Sequence, residues 1–254
     1  QKYPVVLPEY LKWKKYVSSY VFVDALSDEL NEKDVIVTDM GTSFTTTFQA
    51  FKVKKGQRFF TSSGLAAMGF GLPGAVGACF ANNRKRTICL AGEGSLMFNI
   101  QELQTVIHHK LPLKLFLLNN GVYLSIKGMQ DSNFKSFYVG ADSKSGVSFP
   151  NFIKIAKAYG FKTFQIKNHS ELKKMQKILK TPGPTFCEVL LDPNEVLQPR
   201  LKSKLWTDGK MTQSPLEDMW PFLDRNEFKE NMIIPPLEEH VSEKKPPTTR
   251  TEFE

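Results

Sequence analysis

Two short apolar runs, Ile88-Cys89-Leu90 and Leu115-Phe116-Leu117-Leu118, flank a stretch with helical periodicity. No other feature constrains the fold of this chain as much. Each run is bounded by turn residues and reads as a fully buried strand. Between them, residues 99–109 place Ile100, Leu103, Val106 and Ile107 at helical spacing. Strand, helix and strand make a parallel unit with a right-handed crossover. In such units ligands bind outside the carboxyl ends of the strands. Those ends carry Gly92-Glu93-Gly94-Ser95 and Asn119-Asn120-Gly121. Glu93 and Asn120 offer hard oxygens for a magnesium ion that keeps other positions for water and phosphate. Gly94 lets the backbone approach a diphosphate, and Ser95 opens a helix whose free N–H groups attract anions.

The rest of the chain repeats the alternation. Val35-Ile36-Val37-Thr38-Asp39 is a buried strand ending near Gly41, and Phe59-Phe60-Thr61 is a shorter one. Residues 74–81 form a small-residue helix. Residues 152–159 form a helix with Gly160 at its C-terminal position. Residues 161–166 and 186–191 are strands, with a helix opened by Ser170-Glu171 between them. Ser18 or Ser19 caps a helix carrying Val21, Phe22, Ala25, Leu26 and Leu30. The expected architecture is α/β, a parallel sheet with helices on both faces. Residues 1–17 read as an incoming linker and residues 18–234 as one domain. Residues 235–254, rich in Glu, Lys, Pro and Thr, read as a tail ordered at most against a partner.

The strand-end residues resemble the cofactor signature of thiamine-diphosphate enzymes, which runs Gly-Asp-Gly-Ser and ends in Asn-Asn. The chain is most similar to the catalytic subunit of the acetolactate synthase group. Ser63-Gly64-Leu65-Ala66-Ala67-Met68-Gly69-Phe70-Gly71-Leu72-Pro73 resembles the segment that holds the aminopyrimidine in that family. Asn99-Ile100-Gln101-Glu102-Leu103 and Thr181-Pro182-Gly183-Pro184 match as well, so the likeness spans roughly residues 18–192.

The resemblance implies a thiamine-diphosphate-binding fold with thiamine diphosphate and Mg2+ as cofactors. It implies Glu93, Asn120 and the backbone carbonyl of Val122 as metal ligands. The cofactor-facing set is Gly41, Thr42, Ser43, Ala66, Met68, Gly92, Gly94, Ser95, Asn120, Val122 and Tyr123. Met68 takes the catalytic position: a large aliphatic there bends the cofactor so that its own amine meets the thiazolium C2. In this family the site lies between two domains, and the other domain supplies a glutamate to the pyrimidine. That implies a pyrimidine-binding domain in the same chain or another subunit, a homo-oligomer, and a 2-oxo acid substrate of the pyruvate type. The implied reaction decarboxylates that acid and transfers the acyl unit to an acceptor. Decarboxylase relatives carry a glutamate shortly after the metal asparagine; here Ile126 stands at that position, as in the synthases. A decarboxylase, a carboligase acting on sugars, and a non-catalytic cofactor-binding or assembly domain are the alternatives.

Two positions depart from the family. Glu93 replaces its aspartate and reaches one methylene further, and Thr42-Ser43 replace a common Gln-His. Each candidate also has a plainer explanation. Glu93 suits a structural acceptor, Thr42 and Ser43 suit a helix cap, Met68 suits core filler, and Asn119-Asn120-Gly121 suits a simple turn. Gly69-Phe70-Gly71-Leu72-Pro73-Gly74 matches a dinucleotide fingerprint, but no strand precedes it. His108 and His109 complement a helix C-terminus. The net charge of +8 comes from scattered lysines, which argues for a solvated surface over nucleic-acid binding. Cys79, Cys89 and Cys187 lack metal-ligand spacing and read as buried thiols of a reducing, cytoplasmic setting. No apolar run approaches a membrane span.

Overall fold

The apolar runs assemble into one six-stranded, all-parallel sheet in a computed structural model that describes residues 2–205 and 211–236. The strands are β1 (Val35–Thr38), β2 (Arg58–Phe60), β3 (Thr87–Gly92), β4 (Leu113–Asn119), β5 (Lys162–Ile166) and β6 (Thr185–Leu190). They lie in the order β2-β1-β3-β4-β6-β5. Strand order reverses between β1 and β3, so a crevice opens there at the carboxyl ends. β3 and β4 align Thr87 with Leu113 through Gly92 with Leu118, which brings Glu93 level with the loop after Asn119.

Helices cover both faces, as the alternation predicts. They are α1 (Ser19–Glu29), α2 (Thr42–Ala50), α3 (Gly71–Ala81), α4 (Glu93–Leu96), α5 (Glu102–His108), α6 (Leu124–Asn133), α7 (Phe152–Tyr159) and α8 (Met175–Lys180). One face carries α3, α5 and α7, which bury Leu72, Ala75, Leu103, Val106, Phe152 and Ala156 against Val35, Val37, Cys89, Leu113, Leu115, Leu117 and Phe186. On the other face Phe22 of α1 meets Phe116 of β4 with ring centroids 5.5 Å apart. The three cysteines lie unpaired and fully buried, and burial raises each thiol pKa.

Several local expectations shift for physical reasons. The helix expected over residues 99–109 begins only at Glu102, because residues 97–101 form tighter turns. Residues 169–174 form a 3-10 turn ahead of α8. Ser18 is the N-cap of α1 but makes no side-chain cap bond. Instead its hydroxyl donates to Glu195 Oε1 at 2.7 Å, and the Ser19 N–H donates to the same carboxylate at 3.0 Å. A glutamate 176 residues away thus caps the helix. The Thr181-Pro182-Gly183-Pro184 turn wraps the ammonium of Lys114, a buried lysine in the sheet. Its Nζ donates to the carbonyls of Thr181 and Gly183, and burial lowers its pKa to about 8. α7 and its left-handed Gly160 fall where the sequence puts them.

The chain divides into two units, Gln1–Val196 and Leu197–Glu254. The second contains the antiparallel pair β7 (Ser203–Leu205) and β8 (Met211–Gln213), and α9 (Arg225–Asn231). Asp224 caps α9, and the buried carboxylate of Asp218 takes the Arg225 fork at 2.8 and 2.9 Å. Most of the polar tail assigned to residues 235–254 lies outside the described residues.

Phe116 is fully buried between β4 and α1. Phe116→Ala is expected to lower stability by about 3–5 kcal/mol. Urea unfolding followed by circular dichroism checks this.

Candidate functional site

Three loops leave the carboxyl ends of the adjacent strands β1, β3 and β4, and the sequence-predicted residues sit on or beside them, except Ala66 and Met68, which lie between β2 and α3. After β3, Glu93 opens the single turn of α4, and its carboxylate is buried. After β4, Asn120 is also buried. One backbone group ties the two: the Val122 N–H donates to Glu93 Oε1 at 3.2 Å and to Asn120 Oδ1 at 3.1 Å. A carboxylate oxygen and an amide oxygen therefore converge on a single point. Burial raises the Glu93 pKa to about 7, against backbone N–H groups of Glu93 itself, Asn120, Val122 and Gly121 that favour the charged form. A buried carboxylate held this way has a strong incentive to meet a cation.

After β1, Gly41 takes a positive φ of 74° as the N-cap of α2. The helix has no side-chain cap, so the capping role expected as the plain alternative for Thr42 and Ser43 is not found. The Ser43 hydroxyl turns back to donate to Met40 O at 3.0 Å. The Thr42 hydroxyl faces the third loop, accepting from Asn120 Nδ2 at 3.4 Å.

The glycines divide by role. A Cβ at Gly41 would meet nothing within 4 Å, and one at Gly92 only Met40 O at 4.0 Å. Both therefore border open space between the loops, where a ligand backbone fits. Gly94 is different. A Cβ there would lie 2.2 Å from Tyr123 Cε1, so Gly94 is glycine first of all to admit the Tyr123 ring. Ser95 does not open a helix as the sequence suggests; it is the third residue of the single turn α4, which Glu93 opens.

The segment carrying Met68 is clamped from both sides. Asp39, at the end of β1, is 1% exposed. Its Oδ1 accepts from the N–H groups of Met40 at 2.8 Å and Gly69 at 3.0 Å, and its Oδ2 accepts from Gly71 N at 2.9 Å. Ser95 adds a side-chain hydrogen bond. Burial raises the Asp39 pKa and these donors pull it down. From the other side Asn99 Nδ2 donates to Gly69 O at 2.8 Å. Just before the clamped glycines, Met68 is 37% exposed and Leu65 is 89% exposed. Partial exposure disfavours the core-filler explanation for Met68. Ala66 sits in the left-handed region at φ 51°, with its N–H spent on Ser62 O at 2.8 Å. Its carbonyl is then the group left to meet a ligand. No strand leads into Gly69, so the dinucleotide fingerprint lacks its context.

Asp39 was not among the sequence candidates. The available signal was an acidic residue at the carboxyl end of a buried strand, two residues before Gly41.

The donor set suits magnesium. It offers one carboxylate, one amide oxygen and backbone carbonyls, and no group of three His, Cys, Asp or Glu side chains gathers as a metal site among the described residues. The open space beside Gly41 leaves room for a diphosphate.

Residues 39–189 match the thiamine pyrophosphate enzyme family, C-terminal TPP binding domain, and the chain belongs to that family. Its acetolactate-synthase-like members use thiamine diphosphate with Mg2+. Among its relatives, the chain is 35% identical over 184 residues to the acetolactate synthase isozyme 1 large subunit of Escherichia coli K12, covering 72% of this chain and 32% of that protein. It is 30% identical over 201 residues to the acetolactate synthase large subunit of Cyanidium caldarium, covering 75% and 34%. It is 33% identical over 186 residues to the chloroplastic acetolactate synthase 2 of Nicotiana tabacum, covering 71% and 28%. The chain thus spans about a third of the length of the curated relatives it matches.

The contact between Gly94 and Tyr123 yields a direct test. Gly94→Ala is expected to cost about 1–3 kcal/mol by forcing the ring aside. In a Tyr123→Ala background the same change is expected to cost little. Thermal melts of the four proteins of the cycle measure that coupling.

Proposed function

We propose that this chain is the diphosphate- and metal-binding half of a thiamine-diphosphate enzyme of the acetolactate synthase type. The enzyme decarboxylates a 2-oxo acid and passes the acyl unit to an acceptor. The observation that carries the reading is the convergence of Glu93 and Asn120 oxygens on the Val122 N–H at the carboxyl ends of β3 and β4, beside the switch point of a sheet belonging to this family. Relatives bearing the acetolactate synthase name support the choice of reaction. The roughly two thirds of their length beyond the matched part supports a complementary pyrimidine-binding domain, in this chain's full protein or in a partner subunit, within a homo-oligomer.

In this reading Glu93, Asn120 and the Val122 carbonyl would hold the magnesium ion. The backbone at Gly41, Gly92 and Gly94, with Thr42, Ser43, Ser95 and Tyr123, borders the diphosphate. Ala66 and Met68 meet the pyrimidine edge. Bound thiamine diphosphate supplies an electron sink at its thiazolium carbon; the protein orients it and excludes water. Met68 is partly exposed immediately before the clamped Gly69, which suits a prop that sets cofactor geometry. Ile126, 39% exposed at the start of α6, offers no proton at the position where decarboxylases carry an acid. That favours acyl transfer to a carbon acceptor over protonation and release. The buried thiols support a reducing compartment such as the cytoplasm, and no helix among the described residues is long and apolar enough to cross a membrane.

One observation favours a second reading. The Glu93 carboxylate already has backbone N–H partners, as a purely structural acceptor would. Glu93→Gln separates the two, because it keeps reach and acceptor but loses the charge. If Glu93 is a ligand, the variant folds like the wild type while magnesium-dependent binding of thiamine diphosphate weakens about 10-fold or more. Calorimetric titration reads this, and unchanged affinity removes Glu93 from the site.

Met68→Ala addresses the prop. In the chain assembled with its complementary domain, proton exchange at the cofactor C2 is expected to slow by about 100-fold. Melting temperature and diphosphate affinity should hardly change, since the side chain is partly exposed and the anchors lie elsewhere. Normal C2 exchange would overturn the assignment.

A further inference from the structure

The face of the sheet under α7 is apolar along most of its length and then turns polar at the carboxyl end. Leu113, Leu115 and Leu117 of β4 and Phe186 of β6 are fully buried on it. The next residues of the same alternation are Asn119 on β4 and Glu188 on β6, and Gln165 lies beside Glu188 on β5. These three side chains bond in a row across three strands. Gln165 Nε2 donates to Glu188 Oε2 at 2.7 Å, and Asn119 Nδ2 donates to Glu188 Oε1 at 2.8 Å. Asn119 then uses its other end: Oδ1 accepts the Gly121 N–H at 3.0 Å.

Glu188 is 7% exposed, and among the described residues no lysine, arginine or histidine forms an ion pair with it. A buried carboxylate is costly unless its oxygens are well met. Here two neutral amides meet it, one per oxygen. A carboxylate accepts only, so it dictates the orientation of each amide. The NH2 of Asn119 must face Glu188, and its oxygen must face Gly121. That residue, at φ 72°, forms the turn between Asn120 and Val122. The position of the loop thus traces back through Asn119 to an acceptor oxygen on a neighbouring strand.

We propose that Glu188 is a positioning residue for the metal loop. Through Asn119 it fixes the turn at Gly121 so that the Asn120 oxygen and the Val122 backbone meet the ion together with Glu93. This inference rests on the reading that Asn120 and Val122 hold the metal. Glu188 touches neither metal nor substrate in it. Residues that orient a metal ligand from behind typically change metal affinity by about 10–100-fold when removed.

The test uses the 254-residue chain and two readouts. The first is amide exchange at Gly121, Gly69 and Gly71 by NMR in the cofactor-free chain. The second is manganese(II) affinity in the presence of thiamine diphosphate, read by electron paramagnetic resonance. Glu188→Ala is expected to speed exchange at Gly121 by about 10-fold and to weaken manganese binding by about 10–100-fold. Gly69 and Gly71, which Asp39 holds, should keep their wild-type exchange. Asn119→Ala should reproduce the effect, and the double variant should add little to it. Glu188→Gln should restore both readouts, because its amide oxygen can still accept from Asn119 while Gln165 reverses its own amide. Wild-type exchange at Gly121 in a folded Glu188→Ala variant would overturn the proposal. So would loss of protection at Gly69 and Gly71 to the same degree, which marks general loosening. Failure of the wild-type chain to take up manganese with thiamine diphosphate would count against the cofactor reading instead, and exchange at Gly121 would then decide the positioning role by itself.

Discussion

The carboxylate of Asp39 is the point on which the ligand face of this domain depends. It is buried at the end of β1 and accepts backbone N–H groups from its own loop and from both sides of Phe70. Burial alone would push such a group toward its neutral form. Three N–H donors and the Ser95 hydroxyl work in the opposite direction, and they come from three chain segments that must be correctly placed to do so. The glycines are part of the same requirement. A Cβ at Gly71 would come within 2.8 Å of Asp39, and one at Gly69 within 2.7 Å of Phe98. Strand end, helix start and the exposed Met68 turn are thereby locked in one arrangement.

Strand–helix alternation was readable because it rests on local periodicity and on short apolar runs buried on both faces. α7 illustrates this: Phe152 and Ala156 mark its inner face, Asn151 accepts from Lys154 N at its start, and Gly160 ends it. What could not be read depends on contacts distant in sequence. Nothing near Ser18 announces that Glu195 caps α1, and nothing near Asn119 announces Glu188. Gly94 was legible as a required glycine but not for its immediate reason, since the Tyr123 ring arrives from a loop 29 residues on. Apolar spacing at Ile100 is shared by a turn and a helix, so spacing alone starts the helix after the β3 loop too early. Candidate site residues were recognisable because glycines, a carboxylate and an amide at strand ends form a pattern in the chain itself. The groups that hold those residues in place form none.

The arrangement also bears on why a glutamate can stand where the family has aspartate. The longer side chain of Glu93 reaches across to the Val122 N–H on the next loop. It therefore links the β3 and β4 loops directly, as the bond of Asn120 to Thr42 links the β4 and β1 loops. In the fold Glu93 joins two loops, and in the proposed function it binds the ion, so one residue serves structure and chemistry together.

The three cysteines have a practical consequence. Each is enclosed in the hydrophobic interior with its thiolate disfavoured, so the native chain is nearly silent toward soluble alkylating reagents. A single cysteine introduced on an exposed loop would be the only accessible one of the described thiols. A spin label or fluorophore could then be attached beside Leu65 or Phe98 without first removing the native sulfurs.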